Sequence, residues 1–246
     1  MLRTLTRRRG TARYSLVATP TTPTTLALLA LVVLAGCGEA PPSAQTLLQT
    51  AQTTFNATKS FHFALNVAHP GTGSLDAPVV TDAKGDVQRP DELSATATVD
   101  AGLATLAVKV VVVGDKQWYT NPLTGKFEPT TQFTSYERIF DAQVGLGTLL
   151  TKLQHPSAPA DGSANGTSCW KVTGTLAQAD LAPIFGDAVK SDLKNVAVCV
   201  GKGDNHIYSV VIPGVIIDGD TADTVHTFYL SNFDQSVTIA TPAPGE

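Results

Sequence analysis

The sequence predicts an α+β domain built on a large antiparallel sheet with a few short helices. Segments with the two-residue alternation of a strand recur from Phe61 to Phe233, many of them joined by short turns rich in Gly, Pro, Asn and Asp. Helical periodicity is confined to three stretches, and in one long strand the apolar residues fall on a single face.

Ser43 has the chemistry of an N-cap, and Leu47, Leu48, Ala51 and Phe55 follow at helical spacing, so the spacing predicts an amphipathic helix ending near Thr58. Phe61, Phe63, Leu65 and Val67 then alternate with His62 and Asn66 in a first strand. Pro70-Gly71-Thr72-Gly73 turns the chain into a strand over 79–88, and Arg89-Pro90-Asp91 turns it again. Strands over 93–99 and 103–113 form a hairpin around Ala101-Gly102, with Ala104, Leu106, Val108, Val110 and Val112 on one face. Gln117-Trp118-Tyr119 and Lys126-Phe127-Glu128 make short strands on either side of Asn121-Pro122-Leu123-Thr124-Gly125.

Tyr136, Ile139, Phe140, Gln143, Val144, Leu149, Leu150 and Leu153 trace a broad helical stripe, and Gly145 and Gly147 predict a bend or two shorter helices. Residues 155–167 have the composition of a loop. A strand over 169–176 is followed by a helix over 180–191 with Pro183 in its first turn, then by strands over 195–200, 206–212 and 225–233.

Residues 1–36 have the three parts of an export signal. Arg3, Arg7, Arg8, Arg9 and Arg13 give the basic start, and 26–34 (LALLALVVL) is too short to span a bilayer, which takes roughly 20 residues. Leu34-Ala35-Gly36-Cys37 resembles the bacterial lipobox, so cleavage before Cys37 and diacylglycerol on its sulfur are expected. An ordinary secretory signal is the alternative. Gly10-Thr11-Ala12 after the arginines favours general secretion over twin-arginine export. Residues 37–42 then form the lipidated cysteine and a short tether, and 43–246 a single domain. The protein is expected on the extracytoplasmic face of the cell membrane.

The full chain has 17 basic and 21 acidic side chains; five of the basic ones lie in the signal, leaving the mature protein near −9. That charge excludes nucleic acid as a partner and places membrane attachment on the acyl chains. Cys169 and Cys199 are an even pair in a compartment that permits oxidation, and both sit opposite the apolar parity of their strands. A disulfide on the outer sheet face is expected, the alternatives being two buried thiols or a redox pair.

No G-x-S-x-G elbow, H-E-x-x-H or phosphate-cradling glycine loop is present. His62, His69, His155, His206 and His226 lack metal-ligand spacing and read as surface or hydrogen-bonded residues. Asp218, Asp220 and Asp223 read as a solvated turn, since the remaining EF-hand ligands are missing. Gly201-Lys202-Gly203-Asp204 reads as a hairpin turn. Neither catalysis nor a cofactor is expected.

Residues 118–127 (WYTNPLTGKF), Phe140-Asp141 followed by Gly145-Leu146 and Leu149-Leu150, and Ser231-Asn232-Phe233-Asp234 with Val237-Thr238-Ile239 resemble phrases of the LppX/LprAFG family of mycobacterial-type envelope lipoproteins. The resemblance implies a curved antiparallel half-barrel with helices over its concave face, similar to the LolA/LolB carriers. It also implies an apolar cavity that binds acylated lipids or glycolipids for carriage or presentation across the envelope. An envelope transporter as partner stays unidentified. Residues placed around such a cavity are Leu106, Val108, Val110 and Val112 from the sheet, Ile139, Phe140, Val144, Leu149 and Leu150 from the covering helices, and Trp118 at the rim. The same residues also read as ordinary core. That keeps two alternatives open: a structural or interaction lipoprotein with a solid interior, and a hydrolase whose nucleophile and base meet only in the fold.

Overall fold

The computed structural model describes residues 41–131 and 138–243. The export signal, Cys37, most of the tether and Tyr136 lie outside the described residues. Ser43 caps helix α1 (Ala44–Ala57), its hydroxyl accepting from the Thr46 amide at 3.1 Å, and Leu47, Leu48, Ala51 and Phe55 are its buried stripe.

The chain then runs through β1 (Ser60–Ala68), β2 (Val79–Gln88), β3 (Glu92–Asp100), β4 (Thr105–Val113), β5 (Lys116–Thr120) and β6 (Phe127–Thr130). Residues 138–140 are helical, and α2 (Leu146–Thr151) follows. A second meander comprises β7 (Ala160–Ala164), β8 (Thr167–Leu176), β9 (Leu193–Gly201), β10 (Ile207–Pro213) and β11 (Val225–Ser231), with α3 (Gln178–Phe185) between β8 and β9. β11 returns to pair with β1, which joins both meanders into one open 11-stranded sheet in the order β6-β5-β4-β3-β2-β1-β11-β10-β9-β8-β7. Every pairing is antiparallel, as the short turns predict.

Four details depart from the expectation. Residues 155–167 are not all loop: 160–164 pair with β8 as an edge strand. An edge strand has one hydrogen-bonded neighbour and buries little, so Ala-Asp-Gly-Ser-Ala serves without apolar alternation. The helix expected over 180–191 begins at Gln178 and stops at Phe185, where Gly186 takes φ 66°, a left-handed value that ends a helix at little cost to glycine. Pro183 accordingly lies in its last turn. The 136–153 stripe is carried by two helical segments, 138–140 and α2, as one of the two expected alternatives has it, but the break between them spans 141–145 and includes only the first of the two glycines. Gly147 lies inside α2, where it lets the helix press on α1: a Cβ there would meet Cδ1 of Phe55 at 2.6 Å. The strand expected from Leu103 starts at Thr105, leaving Leu103 at the hairpin tip, 92% exposed.

The helices bury one face of the sheet. Over β8 to β11 and β1 that face is closed, with Val172, Val200, Ile207, Ile212 and Leu230 all at 0% exposure in the same cluster as the α1 stripe and Leu149 and Leu150 of α2. On the opposite face Cys169 and Cys199 form a disulfide between β8 and β9, Cα atoms 5.5 Å apart, packed with Ala164, Tyr208 and Tyr229. The alternation rule had placed both sulfurs there.

Candidate functional site

The inward rows change character across β2, β3 and β4. Register places Leu230, Phe63, Gly85, Ala95, Val110 and Tyr119 in one line across β11, β1, β2, β3, β4 and β5, and Phe228, Leu65, Ala83, Ala97 and Val108 in the next. Where β1 and β11 contribute Phe and Leu, β2 and β3 contribute Ala and Gly. The small side chains leave space that no helix fills, and a cavity of about 500 Å³ opens there. Its walls come from six adjacent strands. At about 4.8 Å per strand a flat sheet would spread those residues too widely to enclose one space, so the sheet bends around it.

Phe140 covers the inner end. Its ring lies 4.6 Å from that of Phe63, 5.5 Å from Phe61 and 6.4 Å from Phe228, and Ile139 and Phe185 complete the roof. Arg89 holds this roof in place. Its guanidinium donates to the carbonyls of Phe55, Thr58 and Phe140 and lies 4.3 Å above the Phe55 ring, tying the end of α1 to the 138–140 turn. Burial lowers the Arg89 pKa from its usual value, against the opposing pull of Asp141 and Asp234.

The mouth lies at the sheet end where the β1–β2, β3–β4, β5–β6 and β10–β11 connections gather. Leu75 and Leu123, 71% and 95% exposed, line it, with Pro78, Pro122 and Ile217. Gly102, at φ 81°, lets the β3–β4 tip lie directly on Gly73, whose carbonyl oxygen a Cβ would meet at 2.7 Å; this brings the exposed Leu103 into the same group of loops.

Of the sequence-placed residues, Leu106, Val108, Val110, Ile139 and Phe140 line the cavity. The others lie elsewhere, each for a specific reason. Trp118 pairs with Val111, and Tyr119 with Val110, so Trp118 is on the outer face and Tyr119 is the wall residue. Val112 faces inward at 1% exposure in the row of Leu93, Val87 and Phe61, and lines not this cavity but a separate, smaller one of about 240 Å³ that it shares with Val87, Leu93 and Phe140. Val144 is 40% exposed in the turn before α2. Leu149 and Leu150 are packed in the core cluster with the α1 stripe.

Sequence reasoning missed Ala83, Ala95 and Ala97, although alanine at inward positions between larger neighbours is itself a signal of space. It also missed a buried ionisable pair beside the wall. His226 lines the cavity at 1% exposure, and its Nε2 lies 3.3 Å from Oδ1 of Asp220, whose side chain is 0% exposed. Asp220 is therefore not a solvated turn residue: its Oδ2 accepts the amides of Ile216 and Ile217 at 2.8 and 2.9 Å and folds the β10–β11 connection over the cavity. Among the described residues no group of three or more His, Cys, Asp or Glu is placed to hold a metal ion.

A family model described as the LppX_LprAFG lipoprotein matches residues 43–239. The lipoprotein LprA of Mycobacterium tuberculosis (strain ATCC 25618 / H37Rv) is 28% identical over 211 residues, covering 81% of each chain. The crystal structure of LprF from Mycobacterium bovis superposes with a TM-score of 0.61 at 20% identity, over 83% of this chain and all of that one. The crystal structure of the lipoprotein LppX of Mycobacterium tuberculosis gives 0.58 at 20% identity, over 80% and 98%. With the model match running from the N-cap of α1 to beyond the last strand, the chain belongs to the LppX/LprAFG lipoprotein family.

Proposed function

We propose that the protein binds an acylated lipid or glycolipid in this cavity while anchored through Cys37 at the extracytoplasmic face of the cell membrane, and carries or presents it across the envelope. The observation that supports this reading is the apolar, open-mouthed cavity of about 500 Å³ between sheet and roof. A dry cavity of about 150 Å³ accommodates benzene, so this one has room for roughly three times as many carbons, on the order of one long acyl chain. Burying about 12 methylenes contributes on the order of 10 kcal/mol before ordering costs, which needs no polar contact and no catalytic group. Leu75, Leu103 and Leu123 at the mouth give a chain leaving a bilayer an apolar path inward.

Native mass spectrometry of protein purified from its own host tests the proposal. A co-purified lipid, and uptake of a fluorescent palmitate by the delipidated protein, are the expected results. A clean apo mass together with no uptake would sink it and favour an interaction lipoprotein without a ligand.

A further inference from the structure

The inward groove of β2, β3 and β4 does not end where the large cavity does. Beyond the row of Gly85, Ala95 and Val110 stands the row of Val87, Leu93 and Val112, two residues and about 7 Å further along each strand. That second row lines the smaller cavity of about 240 Å³, at the end of the strands away from the mouth, with the exposed Pro90, Asp91, Arg138 and Asp141 on its outer side. Leu93 and Phe140 line both spaces. The two cavities are therefore consecutive stretches of one groove, divided by side chains and not by the sheet.

Phe140 is held at its ring and at its backbone. The ring packs edge to face with Phe61 and Phe228 and tilted against Phe63, and the carbonyl oxygen accepts from the Arg89 guanidinium at 3.0 Å. Swinging the ring aside would give up all three aromatic contacts while the backbone stayed pinned. A chain that enters past Leu75 and Leu123 and runs along Phe63 and Val110 meets this ring with its methyl end.

We propose that Phe140 is the stop that sets the length of acyl chain the protein accepts, and that the smaller cavity is the continuation it closes off. The inference rests on the lipid-binding reading above and adds a specificity-determining residue to it. Each methylene buried short of Phe140 tightens binding about fourfold, whereas a further one finds no room and pushes the chain back out of the mouth into water.

The test is a series of saturated fatty acids from decanoate to tetracosanoate, each competing with a fluorescent palmitate for the mature chain. In wild type, affinity should rise with length and then level off. Phe140→Ala should move that plateau to chains longer by about four to six carbons, since a space of about 150 Å³ already holds the six carbons of benzene. Val112→Phe, which fills the smaller cavity, should leave the wild-type plateau where it is and, combined with Phe140→Ala, should bring it back toward the wild-type length. Where circular dichroism shows Phe140→Ala unfolded, Phe140→Leu carries the test, with a smaller shift in the same direction. An unchanged plateau in a folded Phe140 variant, or loss of binding at every length, would overturn the inference while uptake by wild type leaves the lipid-binding reading standing. A shorter plateau in Val112→Phe alone would show that the chain already passes Phe140 and would overturn it equally. Failure of wild type to bind any acid of the series would overturn the lipid-binding reading itself.

Discussion

Ala97 has a side chain too small to reach across the inward surface of β3, and the space it leaves belongs to the cavity. Ala97→Phe should fill that space from the wall. We expect uptake of a fluorescent palmitate to fall at least about tenfold, with stability changed by no more than about 1 kcal/mol, since the new ring replaces a void and not a packed neighbour. Uptake at the wild-type level would show that the chain binds elsewhere. Arg89 acts by position instead of volume. Arg89→Leu removes donors from the carbonyls of Phe55, Thr58 and Phe140 and should lower the free energy of unfolding in urea by about 2–3 kcal/mol. Lysine, a single point of charge, should restore only part of that loss.

At the scale of elements, the two meanders carry different loads. β8 and β9 close the solid half and are cross-linked by Cys169–Cys199 over a sequence separation of 30. Reduction or a double Ser variant should cost about 3–4 kcal/mol in the loop-entropy account, read as a shift of the urea midpoint. The cavity should survive it, because its walls belong to β11 and β1 to β5; loss of palmitate uptake in the reduced, folded protein would contradict that division. The sheet edges are guarded by short strands, with Pro129 in four-residue β6 and Asp161, ion-paired with Lys202, in five-residue β7.

For the whole molecule, the proposed cleavage before Cys37 would leave a charge near −9, which offers no attraction to anionic headgroups, so on this proposal attachment would fall to a lipid on Cys37. Cys37→Ala should move the protein from the membrane fraction to the soluble fraction of its host, with palmitate uptake by the purified domain unaltered. A correctly processed variant that stayed in the membrane fraction would exclude Cys37 as the anchor. The two results together separate holding a lipid from being held at the bilayer.

Elements were legible in the sequence wherever one face is buried and the other wet. The period of Phe61, Phe63, Leu65 and Val67 specified β1, and Ser43 with Leu47, Leu48, Ala51 and Phe55 specified α1 and its cap, because solvent on one side and core on the other write alternation into the chain. The strand at 160–164 was illegible for the opposite reason: an edge partner with little burial needs no pattern. Parity alone placed Cys169 and Cys199 on the outer face. Tertiary structure decided what parity does not encode. Val108 and Val112 share a face and a side chain, yet Val108 lines the large apolar cavity while Val112, 1% exposed, borders only the smaller one, since Ala97 stands beside the first and Leu93 beside the second and Phe140 lines both spaces. The pairing of Asp220 with His226 likewise came only from the fold, which buries the β10–β11 connection against the start of β11; whether an inward position is filled or hollow depends on the volumes of neighbours from several strands, and no local period records that sum.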